Sequence, residues 1–338
     1  MPLNKLAKAC ALAVAVVFSA GAAHADQKVY TLKLSHFVPP QHAFHKWVVK
    51  WTQKITKESN GRLKFQIYPN GQLVGPPNRQ FDAARNGIVD IAWCLNGVTP
   101  GRYPMTEIAN LPFTWPSSGI NLPLMAKRLT ELAPKYLAPE YPGLHILFMN
   151  MANPVVVYSK EPIHSVAGFK GKKIRYASTA NRDMLDAMGA VPALVPPPDT
   201  QDALAKGIVE GATFPHEAGL AYHLASVVHY TIEPPMASAT FALVMNKAKY
   251  ESLPKDLRAI LDKESGVKGA MSFGKAWAAQ EQFARHVETT KMGLHIIELP
   301  PKEVAKEHEL AKPIIKQTLD KLEAEGKPAK AFYDAYTK

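Results

Sequence analysis

Ala83-Ala84-Arg85-Asn86-Gly87-Ile88-Val89-Asp90-Ile91-Ala92 and Ala203-Leu204-Ala205-Lys206-Gly207-Ile208-Val209-Glu210-Gly211-Ala212 are two versions of one pattern. Each reads as a helix ended by glycine, then a short β-branched strand that holds an acid. Glycine suits the left-handed position after a helix because it has no Cβ to clash. Each copy follows a strand and a Pro-rich loop, Ile67-Tyr68-Pro69 before the first and Leu194-Val195-Pro196 before the second. The copies lie 120 residues apart, which points to two similar lobes. Helix, glycine and strand in succession is also a common α/β device, so the pair alone does not fix that reading.

The flanking sequence agrees. Tyr30-Thr31-Leu32-Lys33-Leu34-Ser35 alternates polar and apolar residues and reads as a strand. Phe44 to Lys57 carries Phe44, Trp47, Val48, Trp51 and Ile55 at helical spacing, and Asn60-Gly61 stops that helix. Leu63 to Tyr68 alternates again before the turn Pro69-Asn70-Gly71. This βαβ order predicts a parallel sheet flanked by helices. In the C-terminal third, Leu253-Pro254-Lys255-Asp256 opens a helical pattern that runs to about Lys291, long enough to cross both lobes as a spine. Ile296 to Leu299 reads as a strand, Pro301 to Glu323 as one or two helices, and Gly326 to Lys338 as a short surface helix.

The chain has 338 residues, enough for two domains or two lobes. Lys5 and Lys8, the apolar run Ala9 to Ala20, and Ala23-His24-Ala25 form the layout of a secretory signal peptide cleaved after Ala25. An uncleaved anchor is the alternative, disfavoured because the run is too short to span a bilayer. The rest of the chain has no comparable run and is expected to be soluble and periplasmic. Cys10 falls inside the signal, so Cys94 is the one cysteine left, which excludes an intramolecular disulfide and a cysteine metal cluster. Within Ile91-Ala92-Trp93-Cys94-Leu95 it reads as a buried small hydrophobe. The formal net charge of +11, or +9 without the signal, favours anionic ligands. Scattered lysines and secretion argue against a nucleic-acid partner.

Arg175 is the first candidate for chemistry. It ends the strand Gly171-Lys172-Lys173-Ile174-Arg175-Tyr176, and a helix starts after Ser178-Thr179-Ala180-Asn181. The C-terminal ends of strands in open α/β sheets face the ligand crevice, and a helix N-terminus there offers N–H groups to an anion. A guanidinium matches a carboxylate with two parallel hydrogen bonds; the plain alternative is a solvated basic run. Phe214 follows the second echo and reads either as a pocket wall or as core. His36, His42 and His45 invite a metal reading, but no carboxylate or cysteine accompanies them at ligand spacing. His216-Glu217 begins like a zinc-protease motif, but Leu220 stands where the second histidine belongs. Ser272 lacks the first glycine of a nucleophile elbow, and no phosphate or dinucleotide glycine loop occurs. No metal, no cofactor and no enzymatic activity are expected.

With these residues in place, the chain resembles the solute-binding subunits of tripartite ATP-independent periplasmic (TRAP) transporters. The likeness rests on Tyr68-Pro69-Asn70-Gly71-Gln72-Leu73, Arg85 to Ala92, Leu111-Pro112-Phe113, Gly168 to Arg175 and Gly207 to Pro215, in order and at similar spacing. The resemblance implies an α/β, two-lobe periplasmic binding protein with mixed, mainly parallel sheets and a long helix spanning both lobes. Residues 26–152 with 241–280 would form one lobe, and 153–240 with 281–338 the other. Arg175 would be the carboxylate-binding arginine, and the closed receptor, expected to be a monomer, would deliver its ligand to a membrane permease. Two departures stand out: Phe214 occupies a place where many relatives have asparagine, and Val155-Val156-Val157 stands where some have a second arginine. The expected ligand is therefore a monocarboxylate with an apolar or aromatic body, walled by Phe214 with Phe37, Trp93 or Phe241. Asn96, Ser178, His36 and His216 complete the expected site. The alternative ligand is a C4-dicarboxylate whose second carboxylate meets His36 or His216. A periplasmic enzyme and a sensory module acting on organic acids are the competing functions.

Overall fold

The computed structural model describes residues 28–338, so the signal-peptide reading lies outside the described residues. The strands are β1 (Tyr30–Ser35), β2 (Leu63–Tyr68), β3 (Ile91–Leu95), β4 (Leu144–Met151), β5 (Val155–Ser159), β6 (Lys173–Tyr176), β7 (Val191–Leu194), β8 (Gly211–Phe214), β9 (Tyr230–Ala237), β10 (Thr240–Asn246) and β11 (His295–Glu298). They form two sheets, ordered β2-β1-β3-β10-β4 and β11-β9-β5-β8-β6-β7. Five of the nine strand pairings are parallel, two of four in the first sheet and three of five in the second, so both sheets are mixed and the pairings are parallel on balance. This is the two-lobe α/β architecture anticipated above.

The chain passes between the sheets twice in neighbouring strands, from β4 to β5 and back from β9 to β10. The crossings are tied to each other: Ala152 N–H donates to Ala239 O at 2.8 Å and Ser238 Oγ donates to Ala152 O at 2.8 Å. A third crossing is helical. The expected continuous helix is in fact two, Lys255–Glu264 and Gly266–Lys291, broken where Gly266 takes a φ of +54°. The second piece has 26 residues; at 1.5 Å rise per residue it is about 39 Å long, enough to reach both sheets. Phe273 and Trp277 pack in the core of the first sheet, while Glu288 reaches Tyr158 of β5 in the second.

The echo survives as structure, with one correction. Ile88-Val89-Asp90 and Ile208-Val209-Glu210 are turns, and β3 and β8 begin just after the acid. The acid is a clasp rather than a strand residue. Asp90 Oδ2 accepts Lys33 N–H at 2.7 Å while Asp90 N–H returns to Lys33 O at 3.0 Å. Glu210 makes the same pair with Lys173, at 2.9 and 2.7 Å. In each sheet this pins the echo strand beside the strand whose far end faces the crevice.

The helix Ala43–Glu58 buries the predicted stripe of Phe44, Trp47, Val48, Trp51 and Ile55. Cys94 is fully buried and free. The tail differs from expectation. The helix Ala329–Thr337 is not a surface element of the second lobe: Ala329, Phe332 and Tyr336 are fully buried in the core of the first sheet. Their three- and four-residue spacing places them on one helix face, and Leu319 and Leu322 of the preceding helix, Pro301–Ala324, join the same core.

Candidate functional site

A cavity of about 40 Å³ lies between the two sheets. Its walls follow from strand polarity. Phe37 and Val38 come from just past the C-terminal end of β1, Leu95 from the end of β3, Arg175 and Ala177 from the end of β6, and Thr213 and Phe214 from the end of β8. These ends are where open α/β sheets present ligand-binding groups. The crossings add Ala152, Val155 and Ala239, and Phe241 and Trp277 complete an almost wholly apolar lining.

Arg175 is the exception. It is 1% exposed, held between β7 and β8 by Nε–H donating to Val195 O at 2.9 Å and Nη1–H donating to Thr213 O at 2.8 Å. Its guanidinium carbon stands 4.1 Å over the Phe214 ring, a cation–π contact. Nη2 is buried and has no hydrogen-bond partner among the described residues. Burial pulls the guanidinium down to about 9, which leaves it cationic at neutral pH. A buried cation with a free N–H and no carboxylate beside it is costly unless an anion supplies the missing partner. The solvated-run alternative is thereby excluded for this side chain.

Four expected residues meet at the cavity: Arg175, Phe214, Phe37 and Phe241. Five do not line it. Trp93 is fully buried behind the wall, stacked between Phe44 at 4.1 Å and Phe241 at 4.4 Å. Asn96 donates to the Tyr141 hydroxyl at 2.7 Å within the first core. Ser178 caps the next helix, Thr179–Ala187, by accepting Asn181 N–H at 3.3 Å, so that helix end serves its own capping residue. His36 is buried against His45, with ring nitrogens 3.0 Å apart. His216 sits between Glu288 at 2.8 Å and Glu233 at 3.2 Å. Burial works to lower its pKa, but these carboxylates override it and raise it to about 9. Neither histidine lines the cavity, so neither supports the dicarboxylate alternative in the form given above. Among the described residues no group of three or more His, Cys, Asp or Glu is arranged to hold a metal ion.

Sequence reading missed Tyr222, Trp277 and the cavity role of His42. A signal for Tyr222 was present: Ala218 and Tyr222 are four apart along one helix and its C-cap, and both line the cavity. His42 and Trp277 depend on Glu217, which no local pattern reveals. Glu217 Oε1 accepts Ala43 N–H at 2.9 Å, and its Oε2 accepts Trp277 Nε1–H at 2.7 Å and lies 3.4 Å from His42 Nε2. Burial raises its carboxyl to about 7.

Two sheets closing on an apolar cavity with one unsatisfied cation define a two-lobe solute receptor for an organic anion. The chain belongs to the DctP family, the bacterial extracellular solute-binding proteins of family 7, whose pattern matches residues 34–322. Among solved structures, it is similar to a TRAP solute-binding protein of Rhodoferax ferrireducens in complex with copurified benzoate. That likeness has a TM-score of 0.86 and 30% identity, covering 91% of this chain and 96% of the other. A TRAP periplasmic solute-binding protein of Bordetella bronchiseptica with bound (R)- and (S)-mandelate is similar at TM-score 0.84 and 27% identity, covering 91% and 97%. The C4-dicarboxylate-binding periplasmic protein DctP of Rhodobacter capsulatus is 24% identical over 69% of each chain. No described helix is long and apolar enough to cross a membrane.

Proposed function

We propose that this protein is an extracytoplasmic receptor that binds a monocarboxylate with an aromatic or apolar body and delivers it to a TRAP-type membrane permease. The single observation that carries the reading is the buried Arg175 guanidinium, which lines a largely apolar cavity and whose Nη2 has no hydrogen-bond partner among the described residues. A carboxylate completes that donor, and the body of the acid fills the space between Phe37, Phe214, Phe241 and Trp277. Similar receptors bound to benzoate and mandelate support this ligand class. Contacts with the body of the acid drawn from both halves, Phe37 and Phe241 from the first and Phe214 from the second, supply the differential affinity that a closing motion requires.

The test is a thermal-shift screen of wild type and Arg175→Met against carboxylates. Ligand at 100 times its Kd stabilises by about 2.7 kcal/mol, so benzoate should raise the Tm of wild type and leave the variant unmoved. Equal shifts in both proteins would reject the site. Turnover of the bound acid would favour the enzyme reading instead.

A further inference from the structure

The polar side chains that line the cavity are Arg175, Thr213, Tyr222, His42 and Trp277, and the partners of each are known. Thr213 Oγ1 donates to Arg175 O at 3.1 Å. His42 Nδ1 accepts Phe44 N–H at 3.1 Å, which leaves the proton on Nε2, the atom 3.4 Å from Glu217. Trp277 Nε1 donates to the same carboxylate. Thr213 and Trp277 are therefore already hydrogen-bonded within the protein, and His42 Nε2 stands within ion-pair distance of Glu217.

Tyr222 and Arg175 remain. The Tyr222 hydroxyl, like Arg175 Nη2, is buried and has no hydrogen-bond partner among the described residues. The Tyr222 ring lies 5.9 Å from the ring of Phe214, the same ring on which the Arg175 guanidinium rests. Burial keeps the phenol protonated and hence a donor. A buried hydroxyl left without a partner costs free energy, and two unpaired donors lining one cavity suit the two oxygens of one carboxylate.

We infer that Tyr222 and Arg175 together form the carboxylate clasp, and that pairing of every other lining side chain makes the receptor select acids whose remainder is wholly apolar. This rests on the receptor reading above and sharpens its ligand class. A ring hydroxyl or a second carboxylate on the ligand would be buried without a side-chain partner. In a pocket of this kind an added hydroxyl lowers affinity by about ten- to a hundredfold, and a second charge by more.

The experiment is calorimetric titration of wild type, Tyr222→Phe and Arg175→Met with benzoate, and of wild type also with 4-hydroxybenzoate and succinate. Tyr222→Phe keeps the ring and removes only the hydroxyl. The expected loss for benzoate is about ten- to a hundredfold, as for a hydrogen bond to a charged group. Wild type should prefer benzoate to 4-hydroxybenzoate and bind succinate most weakly. Unchanged benzoate affinity in Tyr222→Phe, with binding lost in Arg175→Met, overturns the clasp and leaves the receptor reading standing. Unchanged affinity in Arg175→Met overturns both. Should Tyr222→Phe fail to fold, the wild-type ranking decides: 4-hydroxybenzoate or succinate binding as tightly as benzoate overturns the inference.

Discussion

The Glu217 carboxylate, on a helix that follows the second sheet, accepts the backbone N–H of Ala43 at 2.9 Å in the first turn of a helix that packs on the first sheet. It is a strut between the halves, placed where a helix N-terminus favours negative charge. The same carboxylate holds Trp277 and touches His42, two walls of the cavity. One carboxylate thus braces both the contact between the halves and two walls of the cavity.

Glu217→Ala removes the strut while leaving every carboxylate-binding group in place. It leaves the Ala43 and Trp277 N–H groups without their partner in the closed form. Affinity for benzoate should fall about tenfold or more, read by calorimetry, while the order of preference among acids is unchanged. Wild-type affinity in this variant would show that the strut does not contribute to closure.

His216 gives a pH dependence. Its folded pKa of about 9 lies above the ordinary 6.5. Its contribution to stability is therefore fully present below pH 6.5 and lost as pH rises through 9. Tyr158, Glu233, Glu281 and Glu288 are the polar groups that face it. The Tm difference between wild type and His216→Gln should be largest at pH 6 and shrink towards pH 9. A difference that grows with pH would mean the ring is neutral in the folded protein.

Trp93 separates support from contact. It is fully buried and stacked between Phe44 and Phe241 without lining the cavity. Trp93→Ala should cost about 3–5 kcal/mol of stability, the usual range for emptying an aromatic core site, measured by denaturant unfolding. Phe214→Ala, by contrast, removes the ring under Arg175 and should lower affinity for an aromatic acid about tenfold with a smaller stability loss. If the two variants behaved alike, the distinction between wall and backing would be wrong.

Much of this fold was legible because its signals are local. The alternation of Tyr30 to Ser35 and the stripe from Phe44 to Ile55 each lie within one element and turned up where expected, as did the glycine-ended helices of the echoes. The strand-end rule carried Arg175 to the crevice for the same reason. The clasp of Asp90 on Lys33 was not legible, because a β-branched run before a strand looks the same whether or not it is paired. Nor was the break at Gly266, since one glycine within a helical pattern is usually tolerated. The site was readable only in part. Asn96, Ser178, His36 and His216 follow strand ends as expected, but none lines the cavity, and each makes a side-chain hydrogen bond elsewhere in the fold. Tyr222 was obscured by the opposite circumstance, having no partner where one would be assumed.

The most direct measurement is the crystal structure of the protein with benzoate. A carboxylate oxygen should lie within hydrogen-bond distance of Arg175 Nη2, with the ring between Phe214 and Phe241. Benzoate bound elsewhere, or seated in this cavity with its carboxylate turned away and Nη2 still unpaired, would contradict the central claim.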